Sequence, residues 1–313
     1  MKKRKLYGNT LKEQLIASRR DRLHNFTLAG ATIRGVIVHA TRMINEMRWN
    51  HDLGILETLA LGHAYLGGVL MSAGLKGSDC LAINVDCSGP IKGLSVEANA
   101  YGEVRGYLKQ VPIPVAKPLK SFDLAPFFGA GFLSVTKILE NSKHPFVGKV
   151  MLEHGKLAKD LAVYHLQSEQ IHTAFSLSIL FDQAGEVQGA GGLMLQALPG
   201  ARERDLVETE NCIHSLPTIG RAVNHGGFPE DYLQEGFGRF EPKLMAHRGV
   251  EFLCHCNRDR ITTMLSMLGL DELEDMAANG PFPLRIRCHY CNTAFDFAQA
   301  RVEEILKRRL RGG

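Results

Sequence analysis

Cys254-His-Cys256 and Cys288-His-Tyr-Cys291, thirty-one residues apart, decide how the last quarter of this chain must fold. Two close cysteine pairs flanking a short segment are how a chain gathers four thiolates around one tetrahedral ion, the intervening residues folding back to join them. Cys254, Cys256, Cys288 and Cys291 are therefore expected to bind one Zn2+ per chain. His255 and His289 lie beside ligand positions and could replace a sulfur, but the cysteines alone already complete a four-coordinate set. Four thiolates leave no open position, so the ion is expected to be structural and not to activate water. Each pair is expected on a tight turn. In an extended strand, the Cβ atoms of a C-x-C pair stand farther apart than the ~3.5–4.5 Å a disulfide requires, so joining Cys254 to Cys256 would force a bend.

The flanking sequence fits a small unit around these pairs. Ile261, Met264, Leu265 and Leu268 recur at i, i+3, i+4 and i+7 and predict a helix ended by Gly269. Asp271 with Glu274 predicts a capping box opening a second short helix, closed by Gly280 and Pro281. Arg285 to Phe297 predicts a hairpin carrying the second pair. Val302, Ile305, Leu306 and Leu310 predict a last amphipathic helix with a basic outer face. A unit of this size has too few apolar side chains to hold itself together, so the metal is expected to hold it.

Upstream, the pattern changes. Phe26–Leu28 and Ile33–Val38 predict strands, Thr41–Arg48 a short helix, and Leu53–Ala73 a long, apolar, closely packed one. From Cys80 the period is two, with Leu81, Ile83, Val85 and Cys87 on one face, which makes Cys87 a small core residue and Cys80 a strand-end one. Further strands are predicted at 91–98, 103–109, 132–139, 146–152, 175–181 and 192–198, and an amphipathic helix at 156–170. The expected fold class is α+β: an N-terminal domain of mainly antiparallel sheets with helices, a helical linker and a small C-terminal zinc-binding domain. The expected divisions are a basic arm over 1–24, a core domain over 25–198, a metastable linker over 199–247 and a zinc-binding redox-switch domain over 248–313. The linker is rich in Pro and Gly yet too apolar for a plain tether, so short, loosely packed helices are expected there. Gly236 and Gly238 weaken the second of them, and replacing both by Ala is expected to stiffen it. Cys212 is an extra thiol in this region.

Composition narrows the function. With 45% hydrophobic and 22% charged residues the chain is neither disordered nor fibrous. No run approaches the ~18 consecutive apolar residues of a membrane helix, and no apolar run follows the basic start to make a secretory signal. Seven cysteines, an odd number, argue against an extracellular disulfide framework. Residues 1–22 carry eight Lys or Arg against two acids, while the whole chain is at +4, so the rest is near neutral. That arm is a solvated tail or, in the alternative, a nucleic-acid face. Gly129-Ala-Gly131 and Gly189-Ala-Gly191-Gly192 do not complete a nucleotide-binding fingerprint, and lone histidines such as His51 and His165 are read as structural. No catalytic residue is expected. A thiol oxidoreductase using Cys288 and Cys291 is the enzymatic alternative.

Cys254-His-Cys256, Cys288-His-Tyr-Cys291-Asn292, the adjoining Val250-Glu-Phe-Leu and Arg258-Asp-Arg260, and upstream Ser88-Gly-Pro90, Ser168-Glu-Gln170 and Gly191-Gly-Leu-Met-Leu-Gln-Ala-Leu-Pro199 occur together in one order. In this the chain, from about Phe26 to Leu306, resembles the redox-regulated holdase family, the thirty-three-kilodalton heat-shock chaperone. The resemblance implies a cytoplasmic, ATP-independent molecular chaperone, inactive and monomeric while reduced and zinc-bound. Oxidation would form disulfides of Cys254 with Cys256 and of Cys288 with Cys291. Zinc would leave, the linker and zinc domain would unfold, and the oxidised form, a homodimer, would hold unfolding client proteins. The basic arm, Cys212, the two linker glycines and the apolar Gly280-Pro-Phe-Pro-Leu stretch depart from the family pattern.

Overall fold

The computed structural model describes Met1 and residues 21–115, 121–223 and 228–311. Most of the expected basic arm, residues 2–20, lies outside the described residues. In chain order the elements are β1 (Arg22–Leu28), β2 (Ile33–His39), α1 (Thr41–His51), α2 (Ile55–Ser72), β3 (Cys80–Cys87), β4 (Gly93–Asn99), β5 (Glu103–Leu108), α3 (Ala125–Phe128), β6 (Gly131–Ile138), β7 (Phe146–Met151), α4 (Leu157–Tyr164), β8 (Thr173–Phe181) and β9 (Val187–Ala197). There follow α5 (Glu203–Ser215), α6 (Ile219–Ala222), α7 (Glu230–Phe237), β10 (Lys243–Gly249), β11 (Glu251–Phe252), α8 (Arg258–Ser266), α9 (Leu270–Asn279), β12 (Leu284–Arg287), β13 (Ala294–Phe297) and α10 (Gln299–Arg311). The fold is α+β, and the chain separates into two compact units that meet in sequence at Phe252/Leu253.

The larger unit holds two sheets, ordered β10-β1-β2-β9-β8 and β11-β5-β4-β3-β6-β7. All their pairings are antiparallel except the two-residue β11 with β5. The period of two explains β3: Leu81, Ile83 and Val85 are buried while Ala82 and Asn84 are less so. Cys87 departs from that expectation, being half-buried like Cys80, because the strand runs out of cover at its end. α2 packs on strands of both sheets. On length and composition alone it could cross a membrane, yet 78% of it is buried within this unit. Glu57, Thr58 and His63 interrupt its apolar run, its apolarity belongs to a core helix, and a Cβ at Gly67 would stand 2.6 Å from Leu161 Cδ1. The predicted helix over 156–170 is α4 followed by a π-helical turn at His165–Glu169. That turn brings Glu169 within 2.5 Å of Lys137 Nζ and 2.6 Å of the Tyr164 hydroxyl.

The expected boundaries at 24/25 and 247/248 fall inside β1 and β10, strands that pair with each other. Asp21, counted in the arm, is buried, and its carboxylate accepts the backbone N–H of Arg42 and Met43 at the start of α1. The stretch after β10 is held as well, with the Val250 N–H donating to the Asp21 carbonyl.

The linker helices pack more closely than their composition suggests. Ile219, Val223, Leu233 and Phe237 are almost wholly buried against Phe26, Leu28, Ile33, Ile37, Leu193 and Leu195 of the first sheet. α5 alone fits the expectation of loose packing: its buried residues are the polar Asp205 and Thr209, while Val207 is exposed. Gly236 also overturns an expectation. A Cβ there would stand 2.3 Å from Leu216 Cδ1, whereas one at Gly238 meets only the end of the Gln234 side chain, at 2.9 Å. Glycine to alanine in a helix gains up to ~1 kcal/mol, and forcing volume into packed space costs ~1–3 kcal/mol. Gly238→Ala should therefore raise stability by ~0.5–1 kcal/mol, and Gly236→Ala should lower it by ~1–2 kcal/mol. Denaturant midpoints of the two single variants check this, and equal shifts of one sign would contradict it.

Candidate metal centre

The second unit runs from Leu253 onward. Its core is small: Ile261, Leu265, Leu273, Ala277, Phe297, Val302 and Ile305, with Leu268, Met276 and Phe295 partly buried around them. Arg258 supports it by stacking 5.0 Å over the Phe297 ring while its Nη1 donates to the Asp296 carbonyl at 2.8 Å. Asp296 in turn accepts from Arg285 across the β12–β13 ladder.

The two cysteine pairs enter the centre from different local structures. Cys254 and Cys256 lie in an irregular segment, 253–257, and not in a strand or a tight turn. The segment ends where Asn257 caps α8, its Oδ1 accepting the Arg260 N–H at 2.8 Å. That cap satisfies one of the helix's unpaired N–H groups and turns the chain immediately after the second sulfur. The cap expected from Asp271 and Glu274 does not form. Gly269 is the N-cap of α9, and Asp271 sits inside its first turn. There, negative charge is favourable to the helix dipole without a capping bond.

Cys288 and Cys291 do occupy a tight turn, at the tip of the β12–β13 hairpin. The Asn292 N–H donates to the Cys288 carbonyl at 2.7 Å, and the Cys288 N–H to the Thr293 carbonyl at 3.0 Å. Asn292 takes a left-handed conformation, φ +54°, which asparagine adopts more readily than most residues. This residue closes the turn and lets both sulfurs face one volume.

All four Sγ atoms lie within 4.8 Å of one another. Contacts run across the pairs, 3.8 Å from Cys254 to Cys288 and 3.2 Å from Cys256 to Cys291. Ligands at ~2.3 Å from a central ion stand ~3.8 Å apart at the corners of a tetrahedron, so the sulfur separations are close to those around a tetrahedral ion such as Zn2+. Cys254, Cys256 and Cys291 are buried and Cys288 is partly exposed. Burial pushes the Cys256 thiol up to about 12. Hydrogen bonding to the Cys254 and Cys291 thiols, and then burial, raises Cys288 as well. Cys256 and Cys288 are thus held toward the protonated form, and a divalent cation bound by their sulfurs would reverse that preference. The set could hold a borderline-soft divalent ion such as Zn2+, with no protein position left open.

His255 and His289 are exposed and stand outside the four-sulfur set. Cys80 and Cys87 sit on β3, their thiols raised by burial. Cys212 is half-buried on α5 with Arg239 Nη2 3.4 Å from its sulfur. Thr293 was not singled out from the sequence: it is buried, with its hydroxyl 3.2 Å from Cys291 Sγ. Its position two residues beyond a ligand was the available signal, since such groups orient and stabilise metal-bound sulfur. Thr293→Val should weaken metal binding by ~10–100-fold and speed ion release to a chelator. Competition titration with a colorimetric chelator checks this, and unchanged affinity would remove Thr293 from the site.

The family model described as Hsp33 protein matches residues 21–298. A 33 kDa chaperonin of Desulforamulus reducens is 37% identical over 270 residues, 86% of this chain and 91% of that protein. One from Lachnoclostridium phytofermentans is 32% identical, covering 90% of this chain and 97% of the other. Among solved structures, the crystal structure of the 33 kDa chaperonin (heat shock protein 33 homolog) of Thermotoga maritima superposes with a TM-score of 0.84. It shows 31% identity and covers 94% of this chain and 100% of that one. With matching sequence along most of its length and the same fold, the chain belongs to the Hsp33 family of chaperones.

Proposed function

We propose that this protein is a redox-gated, ATP-independent holdase, kept inactive by one Zn2+ on Cys254, Cys256, Cys288 and Cys291. The observation that carries this is the closed set of four sulfurs inside a unit whose buried apolar core is seven side chains. A structural zinc contributes roughly 10–16 kcal/mol, as much as the ~5–15 kcal/mol that keeps a whole domain folded. Losing the ion therefore means losing the unit.

Oxidation removes the ion. One peroxide accepts two electrons from a cysteine pair, its O–O bond breaks, and with two protons it leaves as two waters while an S–S bond forms. Two such steps join Cys254 to Cys256 and Cys288 to Cys291 and release the zinc. Cys288, the partly exposed sulfur, is the accessible point of first attack. A disulfide then keeps the ligands from returning.

Unfolding passes next to the linker. α5, whose apolar Leu206, Cys212 and Ile213 are only partly buried, is its most loosely packed helix. Once α5, α6 and α7 lift away, Ile219, Leu233 and Phe237 become exposed, together with the sheet face of Phe26, Leu28, Ile33 and Leu195. That apolar surface is what unfolding clients bind, and two copies pairing through it give the oxidised homodimer. The reduced, zinc-bound form is a monomer acting in the cytoplasm. A thiol oxidoreductase is less well supported, because Cys288 lies at a hairpin tip and not at a helix N-terminus, where the dipole would activate it.

Peroxide with mild heat should release one zinc per chain and, in step with that release, suppress aggregation of a thermally unfolding client without ATP. Chelator-free zinc release and light scattering, followed together, check this. Complete zinc loss with undiminished aggregation would contradict it.

A further inference from the structure

His24 on β1 and His247 on β10 stand directly opposite each other in the antiparallel register. Their ring centroids are 5.5 Å apart and their planes 34° from parallel. Among the described residues neither imidazole has a hydrogen-bond partner. The register slips by one residue between His24 and Phe26, so the pair sits at the edge of a bulge, where side chains are re-aimed out of the regular ladder.

Alternation along β1 puts His24 on the same face as Phe26 and Leu28, the face that α6 and α7 cover. Glu230 opens α7 and exerts the strongest charge on His24. The pair therefore lies where the first sheet meets the start of a linker helix. Directly opposed residues on antiparallel strands have Cβ atoms ~4.5–5.5 Å apart. Two imidazoles so placed can bring one nitrogen each to ~3.4 Å, the edge of a tetrahedron around an ion at ~2.0–2.1 Å.

The geometry points to a second metal site, with His24 and His247 as imidazole ligands, Glu230 as the third ligand and water completing the shell. The donors are not gathered within 4.8 Å as the four sulfurs are; Glu230 is exposed, so its side chain is not locked in place by packing. Imidazole and carboxylate together suit Zn2+, Co2+ or Ni2+. Burial holds the His24 ring below its usual pKa, so it is a neutral ligand at neutral pH. An ion here would staple β1, β10 and the start of α7 together, fixing the linker to the sheet it covers. The site stands on its own geometry and does not depend on the chaperone activity proposed above.

The test uses the full-length reduced protein with its four-cysteine centre already filled by Zn2+. Titration with Co2+ should show one further equivalent whose absorption lacks thiolate-to-metal charge transfer, and whose binding slows proteolysis within 203–237. His24→Asn and His247→Asn should each weaken that equivalent by at least the ~10–100-fold that loss of a supporting group costs, and Glu230→Gln should weaken it severalfold. Zinc content and circular dichroism of each variant establish that the fold is intact. No second equivalent, or a second equivalent of unchanged affinity in both histidine variants, would overturn the site. Unchanged affinity in Glu230→Gln would overturn the link to α7.

Discussion

Four sulfurs confined within 4.8 Å cannot all be charged unless a cation sits among them. Protonated, they form a poorly matched cluster of weak hydrogen-bonding groups. Ionised around a divalent cation, they would cross-link the segment before α8 to the β12–β13 tip. The unit from Leu253 onward has as its own core a layer of apolar side chains between α8, α9, α10 and the hairpin, and the proposed cross-link would add to it. The groups that support this core, Arg258 over Phe297 and Arg285 on Asp296, are at the surface, where ion pairs are worth at most ~1 kcal/mol. Local electrostatics therefore adds little to this core.

The larger unit obeys a different rule. α2 is buried between two sheets, and the linker helices α6 and α7 cover the outer face of one of them with aliphatic and aromatic side chains. That cover is continuous enough to be a second core, but it thins at α5, where Leu206, Cys212 and Ile213 are only partly buried and the fully buried residues are Asp205 and Thr209. A surface that is well packed at one end and poorly packed at the other is suited to peel from the poor end. The same geometry explains why Gly236 is a packing residue: it lets α7 approach Leu216, so the expected gain in helix propensity meets a steric cost.

Much of this was legible in the residues. The period of two in Leu81-Ala-Ile-Asn-Val85 gave β3, and the i, i+3, i+4, i+7 spacing from Ile261 gave α8, because burial on one face imposes those periods. The four metal-ligating candidates were visible because a tetrahedral thiolate site needs two close pairs. What was not legible depends on partners distant in sequence. Residues 243–249 have no strong alternation, and they become a strand because β1 offers them an edge. Asp21 reads as part of a charged tail until the start of α1 is brought to it. The capping box at Asp271 failed because the helix begins two residues earlier, with Gly269 as its N-cap. Thr293 offered only its place two residues beyond a ligand, and the His24–His247 pair is invisible to any local pattern, since it is defined by what lies across a strand pair.

The most direct test of metal-dependent folding is amide hydrogen exchange on the reduced full-length chain, with its ion bound and after removal by a chelator under reducing conditions. Protection of α8, α9 and the β12–β13 hairpin should collapse on metal removal while β3 and β4 stay protected. Native-like protection of α8 and α9 in the metal-free protein would contradict the dependence of this unit on its four-sulfur centre.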